Sequence, residues 1–284
     1  MSTPDLVSIV ISIYNRSDAL IRVLQGLAAQ DDLGFEIVIA DDGSTLPHQL
    51  AVQKAAQELG LPLSYVWHPD VGFTLARVRN LGVSAARGAY LIFMDGDCVP
   101  ETDFVRRHRQ LRAPGCFVNG SRVLLSAALT EAVLAGQTQV FGQSAGYWLA
   151  RWWAKDANKL TALLRLPDGA WRKKPGFRWR GIRGCNMGVW RADFEAVNGF
   201  DESFVGWGHE DADFVLRLHN HGVVRKNGFC ATEVYHLWHP VSSRAEEPAN
   251  ADRVRQRQQT LQVKADIGYL ECRNHGEILV NRWR

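Results

Sequence analysis

Four apolar runs between residues 6 and 95 constrain this chain more than any other feature, because helix-like stretches separate them. The runs at 6–13, 35–40, 63–67 and 90–94 are rich in β-branched and aromatic side chains, the composition of buried strands. Between them, Ser17 caps a helix from Asp18 with Leu20, Val23, Leu24 and Leu27 at helical spacing. A second helix spans about 47–59 and ends at Gly60 and Pro62; a third spans 75–86 and stops before Gly88. Strand and helix in alternation predict a mostly parallel sheet with right-handed crossovers. In such a sheet, ligands bind at the carboxyl ends of the strands.

Three of the four runs end in polar tips: Tyr14-Asn15-Arg16, Asp41-Asp42-Gly43-Ser44 and Asp95-Gly96-Asp97. Gathered along one sheet edge, they form a polar cleft. Asp95 and Asp97 follow an apolar run and cannot stay ionised inside it, so they belong where the chain emerges. Gly96 lets the backbone turn between them. Two hard oxygen donors there suit a divalent cation bridging to phosphate; the alternative is an acidic turn with no ligand. Tyr14 is suited to stack on a base, Asp41 or Asp42 to accept from a base N–H, and Arg77 and Arg79 to face a diphosphate. A plain turn and solvated arginines are the alternatives.

The chain of 284 residues is 46% hydrophobic and 22% charged, an ordinary globular composition. A net charge of +3 gives no case for a nucleic-acid partner, and no nucleic-acid motif accompanies it. Five cysteines without a C-x-x-C pair read as reduced thiols in a cytoplasmic compartment. The first residues lack a basic leader region, and no apolar stretch reaches the length of a membrane span.

In the second half, a helix is expected from 101 to 112, short strands at 116–118 and 123–125, then an Ala-, Leu- and Trp-rich stretch to about 165. Residues 165–183, bounded by Arg165 and Arg183, are strongly basic with interleaved aromatics, and their glycines and prolines exclude a long helix. A lid or acceptor loop, a surface meeting anionic membrane, and a solvated loop all fit this segment. A strand resumes at 184–190. Asn198-Gly199-Phe200-Asp201 is turn-rich and leads into Trp207-Gly208-His209-Glu210-Asp211, where a helix begins. Acids at a helix N-terminus are favoured by the dipole alone. Trp207 beside two glycines also offers a face for a sugar ring, and a carboxylate there suits a general base. A run at 231–235 delivers His236 and His239, and residues 248–267 read as a polar helix.

The order and spacing of Val7 to Arg16, Asp41-Asp42-Gly43-Ser44-Thr45, Arg79-Asn80-Leu81-Gly82 and Asp95-Gly96-Asp97 resemble glycosyltransferase family 2. Ile13 departs from the proline common before the Tyr-Asn pair. The resemblance implies an α/β GT-A fold: a Rossmann-like, mostly parallel central sheet flanked by helices, with an elaborated acceptor-binding second half. It implies a nucleotide-sugar site of Ser12, Tyr14, Asn15, Asp41, Asp42, Arg79 and Asp95. Gly-Phe-Asp followed by Trp-Gly-x-Glu-Asp resembles the second block of galactosyltransferase-like and chondroitin-polymerase-like members. That block implies acceptor contacts at Trp207, Gly208 and Glu210, with catalysis by Asp211 and Glu210. Related enzymes complete the DxD site with a histidine, which implies metal ligands Asp95, Asp97 and His236, with His239 as substitute. Imidazole with carboxylates suits Mn2+, with Mg2+ the other candidate.

The implied activity is metal-dependent, inverting transfer from a UDP-sugar to a glycan or glycolipid hydroxyl in bacterial surface polysaccharide (lipopolysaccharide or capsule) synthesis, inside the cell or at the inner face of its membrane. One catalytic domain is expected, with a donor part at 1–115, an acceptor part at 116–247 and a helical extension at 248–284. A sugar-nucleotide nucleotidyltransferase would need a Gly-rich loop after the first strand, and the first glycine here is Gly26. A non-catalytic carbohydrate-binding relative would keep Trp207 and lose the acids.

Overall fold

A computed structural model describes residues 3–240, 245–272, 274 and 278–283. Strands β1 (Thr3–Ile13), β2 (Phe35–Asp41), β3 (Leu63–Trp67) and β4 (Gly88–Asp95) alternate with helices α1 (Ser17–Ala28), α2 (Leu46–Glu58) and α3 (Leu75–Ala85). There follow β5 (Cys98–Pro100), α4 (Phe104–Leu111), β6 (Cys116–Asn119), β7 (Ser121–Leu124), α5 (Ala127–Leu134), α6 (Ala145–Trp153) and the two-residue β8 (Lys173–Lys174). The chain continues through β9 (Asn186–Trp190), α7 (Arg191–Ala196), α8 (Glu210–Asn220), β10 (Val224–Asn227), β11 (Glu233–His236), α9 (Glu247–Arg257) and β12 (Leu279–Trp283).

The large sheet has nine strands in the order β12-β3-β2-β1-β4-β9-β6-β10-β8, and β5, β11 and β7 form a second, three-stranded sheet. β3, β2, β1 and β4 are mutually parallel, as the alternation predicts. β9 then runs antiparallel between β4 and β6. The sheet draws strands from all three stretches that the sequence sets off. Burial on both faces explains the continuous apolar runs. Along β4, Tyr90, Ile92 and Met94 enter one core while Leu91 and Phe93 enter the other. The first core lies under α1, α2, α5 and α6; the second lies under α3, α7 and α8. Gly82 permits the close seat of α3 on the sheet, since a Cβ there would meet Val10 Cγ1 at 2.5 Å.

Several local expectations are corrected. α1 starts at Ser17 itself, and the Ser17 hydroxyl bonds His48 Nδ1 at 2.8 Å instead of capping the helix. α4 starts at Phe104 because the Glu101 carboxylate is engaged by Thr102 N, Gly142 N and the Tyr235 hydroxyl. The helix expected over 248–267 ends at Arg257, and the chain turns so that Asp266 meets the Arg257 guanidinium and Ala265 N reaches Val197 O. The C-terminal stretch holds a strand, β12, which pairs antiparallel with β3 and stacks Trp283 on Tyr65 at 4.6 Å. The basic segment lacks a long helix, as expected, but it is not merely solvated. Arg172 is fully buried and donates to the carbonyls of Leu166, Pro167, Asn227 and Phe229.

Candidate active site

The tips of β1, β2 and β4 lie side by side, with Ile13 opposite Asp41 and Ser12 opposite Asp95. Asn15, in the left-handed region at φ 49°, ties the first two tips together. Its N–H donates to Ser44 Oγ at 2.7 Å and its side-chain oxygen accepts from Thr45 N at 3.0 Å. Asp41 is fully buried, accepting from Ser44 N and from the Tyr65 hydroxyl, and burial pushes its carboxyl up. Asp42 accepts from Thr74 N and Oγ1 and lies 3.0 Å from His68 Nε2. Tyr14 is half exposed and donates to Asp70 at 2.8 Å. Both acids are buried, Asp41 at 0% and Asp42 at 6% exposure. Nothing local marks Tyr65, His68 or Thr74 along the chain, because their relation to the acids arises only from strand adjacency and the turn into α3.

Arg79 is the centre of the site. It is 1% exposed, so its charge is not available to solvent. One guanidinium nitrogen donates to Asp95 Oδ1 at 3.0 Å and another to Glu210 Oε1 at 3.0 Å. Its plane lies over the Phe200 ring at 5.1 Å. Burial works against the charged form, and Asp95, Glu210 and Asp211 together outweigh it. Ser12 adds a hydrogen bond to the same Asp95 oxygen at 3.1 Å. The arginine expected near a diphosphate thus also joins the tip of β4 to the start of α8, across 131 residues of sequence.

Glu210 and Asp211 open α8 after His209, which adopts φ 71°. Glu210 is buried, and that burial, reinforced by Asp211 and opposed by Arg79, pushes its carboxyl to about 7. Asp211 is less buried and accepts from Gly184 N at 3.0 Å. A Cβ at 184 would crowd Asp211 Cβ at 3.1 Å and the Arg79 guanidinium at 3.2 Å, so the absence of a side chain eases their close approach. The Trp179 indole donates to His209 Nδ1 at 3.2 Å, which brings the basic segment against the start of α8. Trp207 and Gly208 stand just before it, both partly exposed.

Asp201 of the Gly-Phe-Asp turn serves this placement from behind. It pairs with Arg257, which also holds Asp213 on α8; Asp213 in turn holds Arg217 at 2.8 Å. Asn80 donates to Phe200 O at 2.8 Å and accepts from Phe200 N at 2.9 Å, fixing the turn to α3.

Beyond Gly96, Asp97 lies 3.7 Å from His236 Nε2 and 3.3 Å from His239 Nε2. Both expected histidines therefore stand at the same carboxylate. Asp97, Cys98 and His236 place ligand atoms within 4.8 Å of one another. Burial lowers the pKa of His236 against the pull of Asp97, which favours the neutral imidazole, with one of its two ring nitrogens open to a ligand. Carboxylate oxygen and neutral imidazole at this separation fit a divalent first-row cation. Asp95 is turned toward Arg79 and Ser12 and is absent from that cluster. Cys98 was not foreseen as a neighbour of these donors. All five cysteines are free thiols.

The family model for glycosyl transferase family 2 matches residues 8–165, and that for the N-terminal domain of galactosyltransferase matches 169–240. Validoxylamine A glucosyltransferase from Streptomyces hygroscopicus subsp. jinggangensis is 30% identical over 238 residues, 77% of this chain and 52% of that protein. Chondroitin synthase from Escherichia coli is 29% identical over 235 residues, 77% of this chain and 33% of that protein. The chain thus spans about half or less of the length of these curated relatives. S. aureus TarS 1–349 in complex with UDP superposes with a TM-score of 0.56 at 17% identity, covering 96% of this chain and 68% of that one. A mannosyltransferase from Pyrobaculum calidifontis in complex with GDP-Man and Mn2+ gives 0.53 at 17% identity, covering 95% and 65%. The likeness to these structures is one of fold, an α/β GT-A sheet. The more than half of the chain matched by the first family model places it: this chain belongs to glycosyl transferase family 2.

Proposed function

We propose that the chain is a metal-dependent, inverting glycosyltransferase that moves a sugar from a UDP-sugar to a hydroxyl of a glycan or glycolipid acceptor, in the building of a bacterial surface polysaccharide. One observation carries this: Arg79 bonds Asp95 at the tip of β4 and Glu210 at the start of α8, at 3.0 Å each, and Asp211 acts on the same guanidinium. Two substrates meeting there would bring an acceptor hydroxyl to a carboxylate while the donor lies along the strand tips. The UDP-bound neighbour and the chondroitin synthase relatives support the donor and acceptor classes.

Tyr14, Asn15 and Asp42 would receive the nucleoside, with Asp41 and Ser12 setting their shape from beneath. Asp97, His236 and His239 would hold the cation, Mn2+ before Mg2+, and the cation would supply positive charge where the diphosphate leaves. Trp207 and Gly208 would face the acceptor sugar. Asp211 takes the acceptor proton as that oxygen bonds the anomeric carbon; the bond from carbon to the diphosphate oxygen breaks, and UDP departs with its electrons. Glu210, held by Arg79, orients this centre and touches the acceptor. General-base catalysis of this kind contributes about a hundredfold or more. Asp211→Asn should lower turnover by at least that factor in a UDP-release assay over a panel of UDP-sugars with and without Mn2+, while UDP affinity is unchanged. Near-normal turnover of the variant would remove Asp211 from the role. A panel on which no UDP is released would remove the donor class.

A further inference from the structure

The stretch from 145 to 184 is unlike the rest of the chain. It carries ten basic residues against two acids, and half of the ten tryptophans. With a net charge of +8 here and +3 overall, the remainder is net acidic. The two acids are already engaged: Asp156 with Arg151 and Asp168 with Lys226. Lys155, Lys173, Lys174, Arg178 and Arg180 are exposed and show no carboxylate partner among the described residues.

Exposed apolar side chains gather on the same surface. Trp152 and Trp153 end α6, and Trp153 is 84% exposed. Just after them, Asn158 accepts from Leu124 N at 2.9 Å, which sets exposed Leu124 alongside. The next residue, Lys159, places its ammonium 5.9 Å from the Phe229 ring. Leu166 N donates to Cys230 O at 2.9 Å, so Leu166 lies beside Phe229. Arg172 stacks on Trp171 at 4.2 Å and bonds Phe229 O. Trp152, Trp153, Leu124, Phe229, Leu166 and Trp171 are each about 40% exposed or more, and they lie on segments that these bonds tie together. The patch reaches the cation donors, because Leu124 pairs with His236 across β7 and β11.

We propose that this patch is where the chain docks on an anionic lipid bilayer. Tryptophan and leucine side chains enter the headgroup region, and the surrounding lysines and arginines meet its negative charge. Charge argues for the occupant: this face paired with itself in a second copy would set positive against positive, whereas an anionic surface complements it. Tryptophan is the side chain suited to such a boundary, with an apolar ring and one polar N–H. No helix among the described residues is long and apolar enough to cross a membrane, so the contact is peripheral. Seated this way, the chain presents the cleft beside His236 to hydroxyls carried at the bilayer surface. Docking does not rest on the glycosyltransferase reading, and the test below uses no sugar nucleotide.

The full chain is sedimented with vesicles of phosphatidylcholine alone, and with vesicles of phosphatidylcholine and phosphatidylglycerol in equal parts, at low and high salt. Binding to the mixed vesicles only, weakened by salt, supports the proposal. Lys173→Glu with Lys174→Glu should weaken it at least about thirtyfold, from about 1 kcal/mol per basic residue near such a surface. Trp153→Ser should weaken it about tenfold by removing buried apolar area, at high salt as well. Far-ultraviolet circular dichroism confirms that both variants fold, since all three side chains are exposed. Equal binding to both vesicle types, or none, overturns the proposal. So does sedimentation of the wild type as a dimer that Trp153→Ser dissociates, or retention on homopolymer RNA at a salt that strips it from vesicles.

Discussion

Glu210 sits in the first turn of α8 with its carboxylate buried against Arg79, and Glu210→Gln removes the charge with almost no change of shape. The ordinary value for this carboxyl is 4.5, and in the fold it is pushed up to about 7, by burial first and then by Asp211. Each tenfold change in proton affinity is worth about 1.4 kcal/mol, so this interval corresponds to about 3 kcal/mol. The sign follows from linkage. Below pH 4.5 the carboxyl is protonated in both states and folding is not penalised. Between 4.5 and 7 the unfolded chain releases the proton first, so stability is lost as pH rises, and the loss is complete above 7. The attraction of Arg79 is already part of that value, and a glutamine oxygen can still accept from the guanidinium.

Glu210→Gln should therefore be more stable than the wild type by about 2–3 kcal/mol at pH 8 and nearly equal to it at pH 4.5. At roughly 2 °C per kcal/mol for a chain of this size, the midpoint should rise by about 5 °C at pH 8. Urea or thermal unfolding of both proteins across that pH range measures this, and the subtraction cancels every other titrating group. The gain should accompany a loss of transfer activity, since the same strained carboxylate is proposed to touch the acceptor. A difference that does not change with pH, or a variant less stable at pH 8, would refute the reasoning.

Four other substitutions test the cleft. Arg79→Met leaves Asp95 and Glu210 without their shared cation and should cost about 3–5 kcal/mol at pH 8 in chemical unfolding, with a smaller loss at pH 5, where Glu210 takes up a proton. Tyr65→Phe removes a donor from buried Asp41 and should cost about 1–3 kcal/mol in the same measurement, with no change in cation binding. His236→Ala should weaken Mn2+ binding tenfold or more in a paramagnetic-resonance titration without sugar nucleotide, compared in parallel with His239→Ala. Unchanged Mn2+ affinity would take His236 out of the donor set.

The first four strands were legible because burial on both faces imposes uninterrupted apolar runs, and acids can only follow where such a run leaves the core. β3, with Ser64 and Trp67 only partly buried, was bounded by Pro62 before it and Pro69 after it. β12 was not visible at all: Leu279, Val280, Asn281 and Arg282 are exposed on an edge strand, so no burial pattern marks them. The early end of α9 was equally hidden, since it depends on Asp266 and Ala265 reaching partners far back in the chain. Arg79 shows the same limit within the site. Its place on a helix leading into β4 was readable, and its basic charge suggested phosphate. What sequence does not carry is that Asp95 and Glu210, 16 and 131 residues away, converge on it and exclude solvent. Local composition marks where a charge lies along the chain; only the packed sheet decides which charges it meets.

That packing also accounts for the excess of negative charge at the cleft. Asp95, Glu210 and Asp211 all act electrostatically on one buried arginine, and Asp97 follows two residues after Asp95. One guanidinium cannot neutralise three carboxylates, and Glu210, raised first by burial, is raised further by Asp211. Arg122 on β7 adds a second cation that acts on Asp95. At Asp97 the fold places His236 and His239, and burial favours the uncharged form of His236. A neutral His236 imidazole leaves the negative charge standing while adding a donor for a metal, the combination that a cation-binding site requires and that a structural ion-pair network would avoid.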